Sequence, residues 1–163
     1  MRGSNVTRCE RQSDGGVAWS VGERVIACVS VNNDGLWRVL WHETAYRQRR
    51  LGSRFSSLHT ACLAAEKCWP EELSANWVES TEGGYFRQFG RSRVCVRQTV
   101  RDWYAVRDDG KVLAKAGEVL WFASADEAMA AVERHHYTRF EADPFRDTHD
   151  RLTWLTIKRR RAA

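Results

Sequence analysis

Residues 82–107 read EGGYFRQFGRSRVCVRQTVRDWYAVR, and their pattern indicates how the chain folds. Apolar and polar side chains alternate on both sides of Gly90, a pattern typical of a β-hairpin with one buried face. Aromatic and β-branched residues, which favour extended backbone, fill the alternating positions. The pattern predicts three strands, over Tyr85–Phe89, Arg93–Val100 and Trp103–Arg107.

The same pattern occurs about 68 residues earlier, which indicates an internal repeat. Asp14-Gly15-Gly16 aligns with Glu82-Gly83-Gly84, Trp37 with Trp103, and Phe55 with Phe122, with two small gaps. Further aligned pairs are Gly22 and Gly90, Ile26 and Val94, Cys28 and Val96, Ser57 and Ser124, Ala61 and Ala128, Ala64 and Ala131, and Glu66 and Glu133. Their common order favours a duplicated unit over two unrelated segments that share ordinary patterning.

Each predicted unit contains four strands and a helix. The first unit has predicted strands at Gly16–Val21, Val25–Val31, Leu36–His42 and, more weakly, Arg47–Arg54. In the second unit the fourth strand is predicted at Gly117–Phe122, beginning earlier near Val112 or splitting there. The helices have apolar stripes, at Leu58, Ala61, Cys62, Ala65 and Trp69 and at Ala125, Ala128, Met129, Val132 and His136. Ser124 and Glu127 predict a capping box at the second helix.

The sequence therefore predicts an α+β protein, with two tandem ββββα repeats and antiparallel sheets packed as an intramolecular pseudo-dimer in one globular domain. The expected divisions are a flexible N-terminus at 1–13, the first repeat at 14–69, a linker at 70–81, the second repeat at 82–137, and a C-terminal extension at 138–163 with a basic tail. In that extension Arg151–Lys158 is expected to form a last strand or a short helix.

Composition excludes several classes of protein. No apolar run approaches the length of about 18 residues that a membrane-spanning helix needs. Met1–Asp14 is polar and has no apolar core of a secretory signal. The five cysteines are odd in number and include no CxxC motif, so free thiols in a reducing cytoplasm are expected.

The positive charge is concentrated on predicted strands. The net charge is +5, from 26 Lys and Arg against 21 Asp and Glu, and 22 of these cations are arginine. Residues 38–54 contain five arginines and one acid, and residues 87–101 contain five arginines and no acid. Alternation places Arg93 and Arg97 on one strand face and Val94 and Val96 on the other. Arginine favours phosphate recognition because its planar fork carries several donors, although a GC-rich coding genome also raises the arginine content.

Arginine-bearing strand faces beside aromatic rings favour nucleic acid, and single strands in particular, because guanidinium groups contact phosphates while rings stack on unpaired bases. The candidate phosphate-binding residues are Arg38, Arg47, Arg49, Arg50, Arg87, Arg93 and Arg97, and the candidate stacking residues are Trp19 and Tyr85. Trp37, Trp41 and Trp103 are assigned to the core. Two alternatives remain open: exposed arginines protect strand edges and aid solubility, or they contact an acidic protein.

The order of elements from Asp14 to about Tyr137 resembles the Pur-repeat and whirly groups of single-stranded nucleic-acid-binding proteins. In those groups paired units form helix-backed sheets, and the nucleic acid lies on the sheet side. No equivalent of the Lys-Gly-Lys-rich whirly motif is present, so the resemblance assigns no residues. The helix entry Phe-Ser-Ser-Leu also resembles small bacterial and phage domains, including the arm-binding domains of integrases, which bind duplex DNA.

No catalytic or cofactor motif is apparent. His135 and His136 follow Glu133, but adjacent helical residues point about 100° apart, and the pattern is not HExxH. No metal, cofactor or enzymatic activity is therefore expected. The sequence predicts non-catalytic nucleic-acid binding, and the alternative is a protein-interaction module or inhibitor, of phage or mobile-element type, for an acidic partner. It leaves open whether the repeats pair within one chain or between two chains of a homodimer.

Overall fold

The computed structural model describes residues 6–44, 47–138 and 151–157. Within them it shows an α+β protein with two antiparallel sheets and two α-helices. The chain divides into two compact units, residues 1–83 and 84–163. No helix in the described ranges is long and apolar enough to cross a membrane.

The first unit contains a five-stranded sheet in the order β1-β2-β3-β4-β5. Its elements are β1 (Arg8–Arg11), β2 (Val17–Val21), β3 (Arg24–Val31), β4 (Trp37–His42), β5 (Gln48–Arg50), α1 (Leu58–Lys67), a 3₁₀ turn (Glu71–Leu73) and β6 (Val78–Glu79). Ser57 caps α1, because its Oγ accepts a hydrogen bond from Thr60 N at 3.2 Å. The predicted stripe of α1 is buried at Ala61, Cys62 and Ala65, and α1 packs on β3 and β4.

The expectation of a flexible N-terminus over 1–13 is wrong for its second half, since β1 pairs with β2 in antiparallel register. Thr7 is buried and bridges Val78, and the Glu79 carboxylate accepts a hydrogen bond from Cys9 N at 3.1 Å. Most of the contacts that hold this edge strand are made by its backbone, so its polar sequence carries little signal of it.

The predicted linker over 70–81 also has more structure than expected. It contains the 3₁₀ turn and β6, and Trp77 and Val78 are almost fully buried. The Thr81 hydroxyl donates to the buried Glu66 carboxylate at 2.8 Å, so the end of this segment satisfies an acid that would otherwise be costly to bury.

The second unit has the strand order β11-β10-β9-β8-β7, and β12 also pairs with β10 in antiparallel register. Its elements are β7 (Tyr85–Phe89), β8 (Ser92–Gln98), β9 (Trp103–Arg107), β10 (Val112–Lys115), β11 (Glu118–Val119), α2 (Ala125–Thr138) and β12 (Leu152–Leu155). The last predicted segment is thus a strand rather than a helix, and the basic tail from residue 158 lies outside the described residues. Ser124 Oγ accepts from Glu127 N at 3.2 Å as predicted, while the Glu127 carboxylate reaches back to Ala123 N.

The predicted fourth strand of the first unit is shorter than expected, and that of the second begins earlier, at Val112, as one of the expected alternatives has it, and is split. In the first unit only Gln48–Arg50 is a strand, and in the second the segment splits into β10 and β11 around Ala116 and Gly117, which both have positive φ. Beyond these strands, isolated antiparallel bridges join Trp37 to Phe55 and Trp103 to Phe122. In each bridge both backbone N–H groups donate, at 2.8–3.0 Å.

A β-bulge in the first unit shifts the sequence alignment by one residue. The pairing of β2 with β3 changes register between Trp19 and Ser20, whereas β7 and β8 pair without interruption. As a result Ala27 and Val29, not Ile26 and Cys28, take the pairing positions that Val94 and Val96 take in the second unit.

Candidate nucleic-acid interface

Each unit has one sheet face covered by its helix and one face free of that helix. In the first unit the buried residues Val29, Val39 and Trp41 lie on the side covered by α1. Because side chains alternate along a strand, Ser30, Arg38, Leu40 and Arg50 project from the opposite side, which we call the open face of the first unit.

Three arginines line a groove of about 420 Å³ at the edge of this open face. We call it the arginine groove and define it by Arg38, Arg50 and Arg54. When the Asn32 side-chain amide is oriented with its oxygen towards the arginine, Asn32 Oδ1 accepts a hydrogen bond from Arg38 Nη2 at 3.0 Å. Arg54 Nη1 lies 3.3 Å from Asp34 Oδ2. Arg50 is exposed and makes no ion pair with any described residue. Guanidinium groups spaced along a groove suit successive phosphates of a nucleic-acid backbone.

The open face of the second unit combines cations with aromatic rings. The helix α2 covers the side that carries Val94, Val96 and Ala105. Alternation then places Phe86, Arg93, Arg97 and Tyr104 on the opposite side. The Arg93 guanidinium lies 4.4 Å from the centre of the Phe86 ring, which makes a cation–π contact between them.

One row on this face has the geometry of a stacking surface, and we call Arg97, Tyr104 and Trp121 the stacking row. Arg97 is paired directly with Tyr104 across β8 and β9, and the Tyr104 and Trp121 rings are 5.7 Å apart in an edge-to-face arrangement. Trp121 is 54% exposed, and Arg97 is also exposed. An exposed indole beside a tyrosine and a guanidinium offers a π-surface to a base and a charge to the adjoining phosphate.

Four of the seven predicted arginines therefore lie on open faces: Arg38, Arg50, Arg93 and Arg97. Arg47 and Arg49 both lie near Glu43, at 3.1 and 3.8 Å, and both remain more than half exposed. Arg49 is paired with Trp41, so it projects on the helix-covered side.

Besides Arg49, three further predicted residues do not lie on an open face: Trp19, Tyr85 and Arg87. The assignment of Trp19 to base stacking is wrong, because its side chain is fully buried, packs edge-on against Trp69 and donates from Nε1 to Glu79 O at 2.9 Å. Tyr85 is half-buried on the helix-covered side, 6.2 Å from the Trp103 ring. Arg87 projects on that same side, where it is 13% exposed and donates to Glu133 Oε1 at 2.9 Å.

Sequence reasoning missed Tyr104, Trp121 and Arg54. Tyr104 could have been predicted, because alternation from the core residue Trp103 places Tyr104 on the opposite side of the sheet. Trp121 and Arg54 each precede the phenylalanine that bridges back to the sheet, and no periodic pattern spans such a single bridge.

Burial separates the five cysteines, all of which lie in described segments and are free thiols. Burial and the nearby Glu79 raise the pKa of Cys9 to about 12, and burial with Glu66 raises the pKa of Cys62 to about 11. Cys68 is exposed.

We expect a disulfide reagent at pH 8 to modify Cys68 rapidly, and Cys9 and Cys62 only after denaturation, because the thiolate is the reactive form. Comparing thiol counts in native and denatured protein checks this expectation, and rapid modification of native Cys9 would contradict it.

The same pKa shifts destabilise the fold at high pH. In the unfolded chain these thiols ionise near pH 9.0, while the folded ones stay protonated, so stability is lost between about pH 9 and 12.

Comparisons with protein-family models, with curated proteins and with solved structures gave no match. Among the described residues, no group of three or more His, Cys, Asp or Glu side chains is placed to hold a metal ion.

Proposed function

We propose that the protein binds single-stranded nucleic acid, without catalysis, on the open faces of its two sheets. The observation that carries the proposal is the stacking row, in which an exposed Trp121, Tyr104 and Arg97 lie side by side. Proteins that bind single strands combine aromatic rings for bases with a basic groove for the backbone. The arginine groove supplies the second part.

We further infer that the two units are copies of one ββββα unit. Support comes from the two Trp–Phe bridges and from the matching hairpin positions of Val29 and Val96. In this correspondence Ser30, Arg38 and Arg54 of the first unit take the positions of Arg97, Tyr104 and Trp121 of the second. The arginine groove and the stacking row are then the same place in two copies, one specialised for phosphates and one for bases. Packing of the copies as a pseudo-dimer stays a prediction.

The helices support single strands over duplex DNA as the ligand. A recognition helix must present a basic, exposed face to the major groove. The first turn of α2 is acidic, with Asp126 and Glu127, and the apolar stripes of both helices are buried against the sheets.

Replacing Trp121 with alanine should weaken binding of a labelled oligothymidine about tenfold or more, since stacking on an aromatic side chain contributes about 1–3 kcal/mol per base. Tyr137→Ala is the matched control, because Tyr137 is equally exposed, at 56%, but lies on α2. Fluorescence anisotropy measures both affinities. An equal loss of affinity in the two variants, or no loss in Trp121→Ala, would contradict a role of the stacking row in binding.

Removing two phosphate contacts should change the salt dependence of binding. For single strands the slope of log K against log salt is about −0.7 per phosphate neutralised, so Arg38→Ala/Arg50→Ala should make it shallower by about 1.4. Lys67→Ala/Arg134→Ala, which removes two exposed cations from the helices, should leave the slope unchanged. Duplex preference would favour the integrase-arm resemblance instead, and no binding at low salt, with an acidic protein captured after nuclease treatment, would favour the interaction-module alternative.

A further inference from the structure

A second cavity, of about 440 Å³, lies on the helix-covered side of the second unit, away from the stacking row. The turn between β7 and β8, the end of α2, and β12 contribute its lining. Cavities of this volume are in the usual range for small-ligand sites. The nucleic-acid interface proposed on the open faces does not include this cavity.

Two aromatic pairs form the walls of this cavity. The Phe89 and His136 rings are 4.6 Å apart, and the His135 and Trp154 rings are 6.1 Å apart. His135 and His136 are adjacent on α2 and therefore point about 100° apart, which directs the two pairs to different sides of the space. Paired aromatic walls of this kind favour a planar ring as the ligand.

The charge of the lining is positive. None of the lining residues, all of them described, carries a carboxylate. Arg107 is ion-paired with Asp109, whose pKa its hydrogen bond lowers to about 2, and it also lies 5.5 Å from the centre of the Trp154 ring. Arg91, in the turn, is exposed and forms no ion pair within the described residues, and Ser92, the next residue, also lines the cavity. This end of the cavity can therefore hold an anion.

We propose that this cavity binds a nucleoside monophosphate, with the base between the two aromatic pairs and the phosphate at Arg91 and Ser92. A planar ring joined to a compact anion is the chemistry that the walls and the charged turn recognise together. The site does not depend on the open faces, because its residues lie on the opposite side of the sheet or in the turn.

Calorimetric titration of the full chain with AMP, adenosine and inorganic phosphate tests the proposal. AMP should bind about tenfold more tightly than adenosine, since only AMP carries the anion, and inorganic phosphate alone should bind more weakly still. Arg91→Ala, in an exposed turn, should weaken the affinity for AMP about fivefold and leave the affinity for adenosine unchanged. Trp154→Phe keeps an aromatic ring in β12 and should retain AMP binding, whereas Trp154→Ala should bind AMP about tenfold more weakly.

Trp121→Ala separates this site from the nucleic-acid interface, because it should weaken oligothymidine binding and leave AMP binding unaffected. The proposal is overturned if millimolar AMP gives no heat or binds no better than adenosine. It is also overturned if Arg91→Ala, shown to be folded by circular dichroism, binds AMP as wild type does. A loss of AMP binding in Trp121→Ala would place the nucleotide on the open face instead.

Discussion

Replacing Trp19 with alanine should lower the free energy of unfolding by about 4 kcal/mol, the middle of the range for deleting a large buried ring. The side chain has no exposed surface, and its ring centre lies 5.5 Å from that of Trp69. Its indole N–H also satisfies Glu79 O at 2.9 Å, and alanine would leave that half-buried carbonyl without this donor. Urea denaturation followed by circular dichroism measures the change.

The exposed Trp121 is the matched control for this experiment. Trp121→Ala should change the free energy of unfolding by less than about 0.5 kcal/mol, as surface substitutions usually do. The two tryptophans thus separate stability from binding: one variant loses stability, and the other loses affinity for the oligonucleotide. A stable Trp19→Ala protein with weakened binding would restore Trp19 to the ligand site and contradict its place in the core.

Replacing Gly84 with alanine should cost about 3 kcal/mol or more, from two separate causes. Its φ is +76°, a conformation that costs a residue with a Cβ about 1–2 kcal/mol. An added Cβ would also lie 2.2 Å from the Val96 carbonyl oxygen, and a backbone atom in a paired strand cannot move away freely.

The adjacent glycine separates these two causes. Gly83 has φ +92° but nothing within 4 Å of an added Cβ, so Gly83→Ala should show the conformational cost alone, about 1–2 kcal/mol. Gly16 shows the reverse case: an added Cβ would lie 2.2 Å from Val29 O, with no positive φ. Denaturation midpoints of the three variants test the order, with Gly84→Ala lowest. Equal effects at Gly83 and Gly84 would mean that the close approach to Val96 does not exist.

Much of each sheet was predictable because its strands have one buried face. The period-2 pattern located β7, β9 and most of β3, β4 and β8, and the capping signal at Ser124 located the start of α2. The elements that sequence missed lack such a pattern. β1 is polar and held by its backbone, and β6 is only two residues long.

The candidate site was predictable to the extent that alternation governs it. Arg93 and Arg97 lie on one face as expected, because β8 is regular through Val94 and Val96. Arg87 obeys the same rule but on the helix-covered side, where Glu133, 46 residues away, pairs with it. A single sequence does not identify a partner at that distance. For the same reason, the exposure of Trp121 and burial of Trp19 depended on tertiary contacts.

Chemical-shift mapping of the ¹⁵N-labelled protein during titration with a short oligothymidine tests the central proposal most directly. We expect the largest amide shifts at Arg97, Tyr104 and Trp121, with a second group around Arg38, Arg50 and Arg54, and little change along α1 and α2. Added salt should reverse these shifts, because displaced counterions contribute to the affinity. Shifts confined to the helices, or none at low salt, would contradict nucleic-acid binding on the open faces.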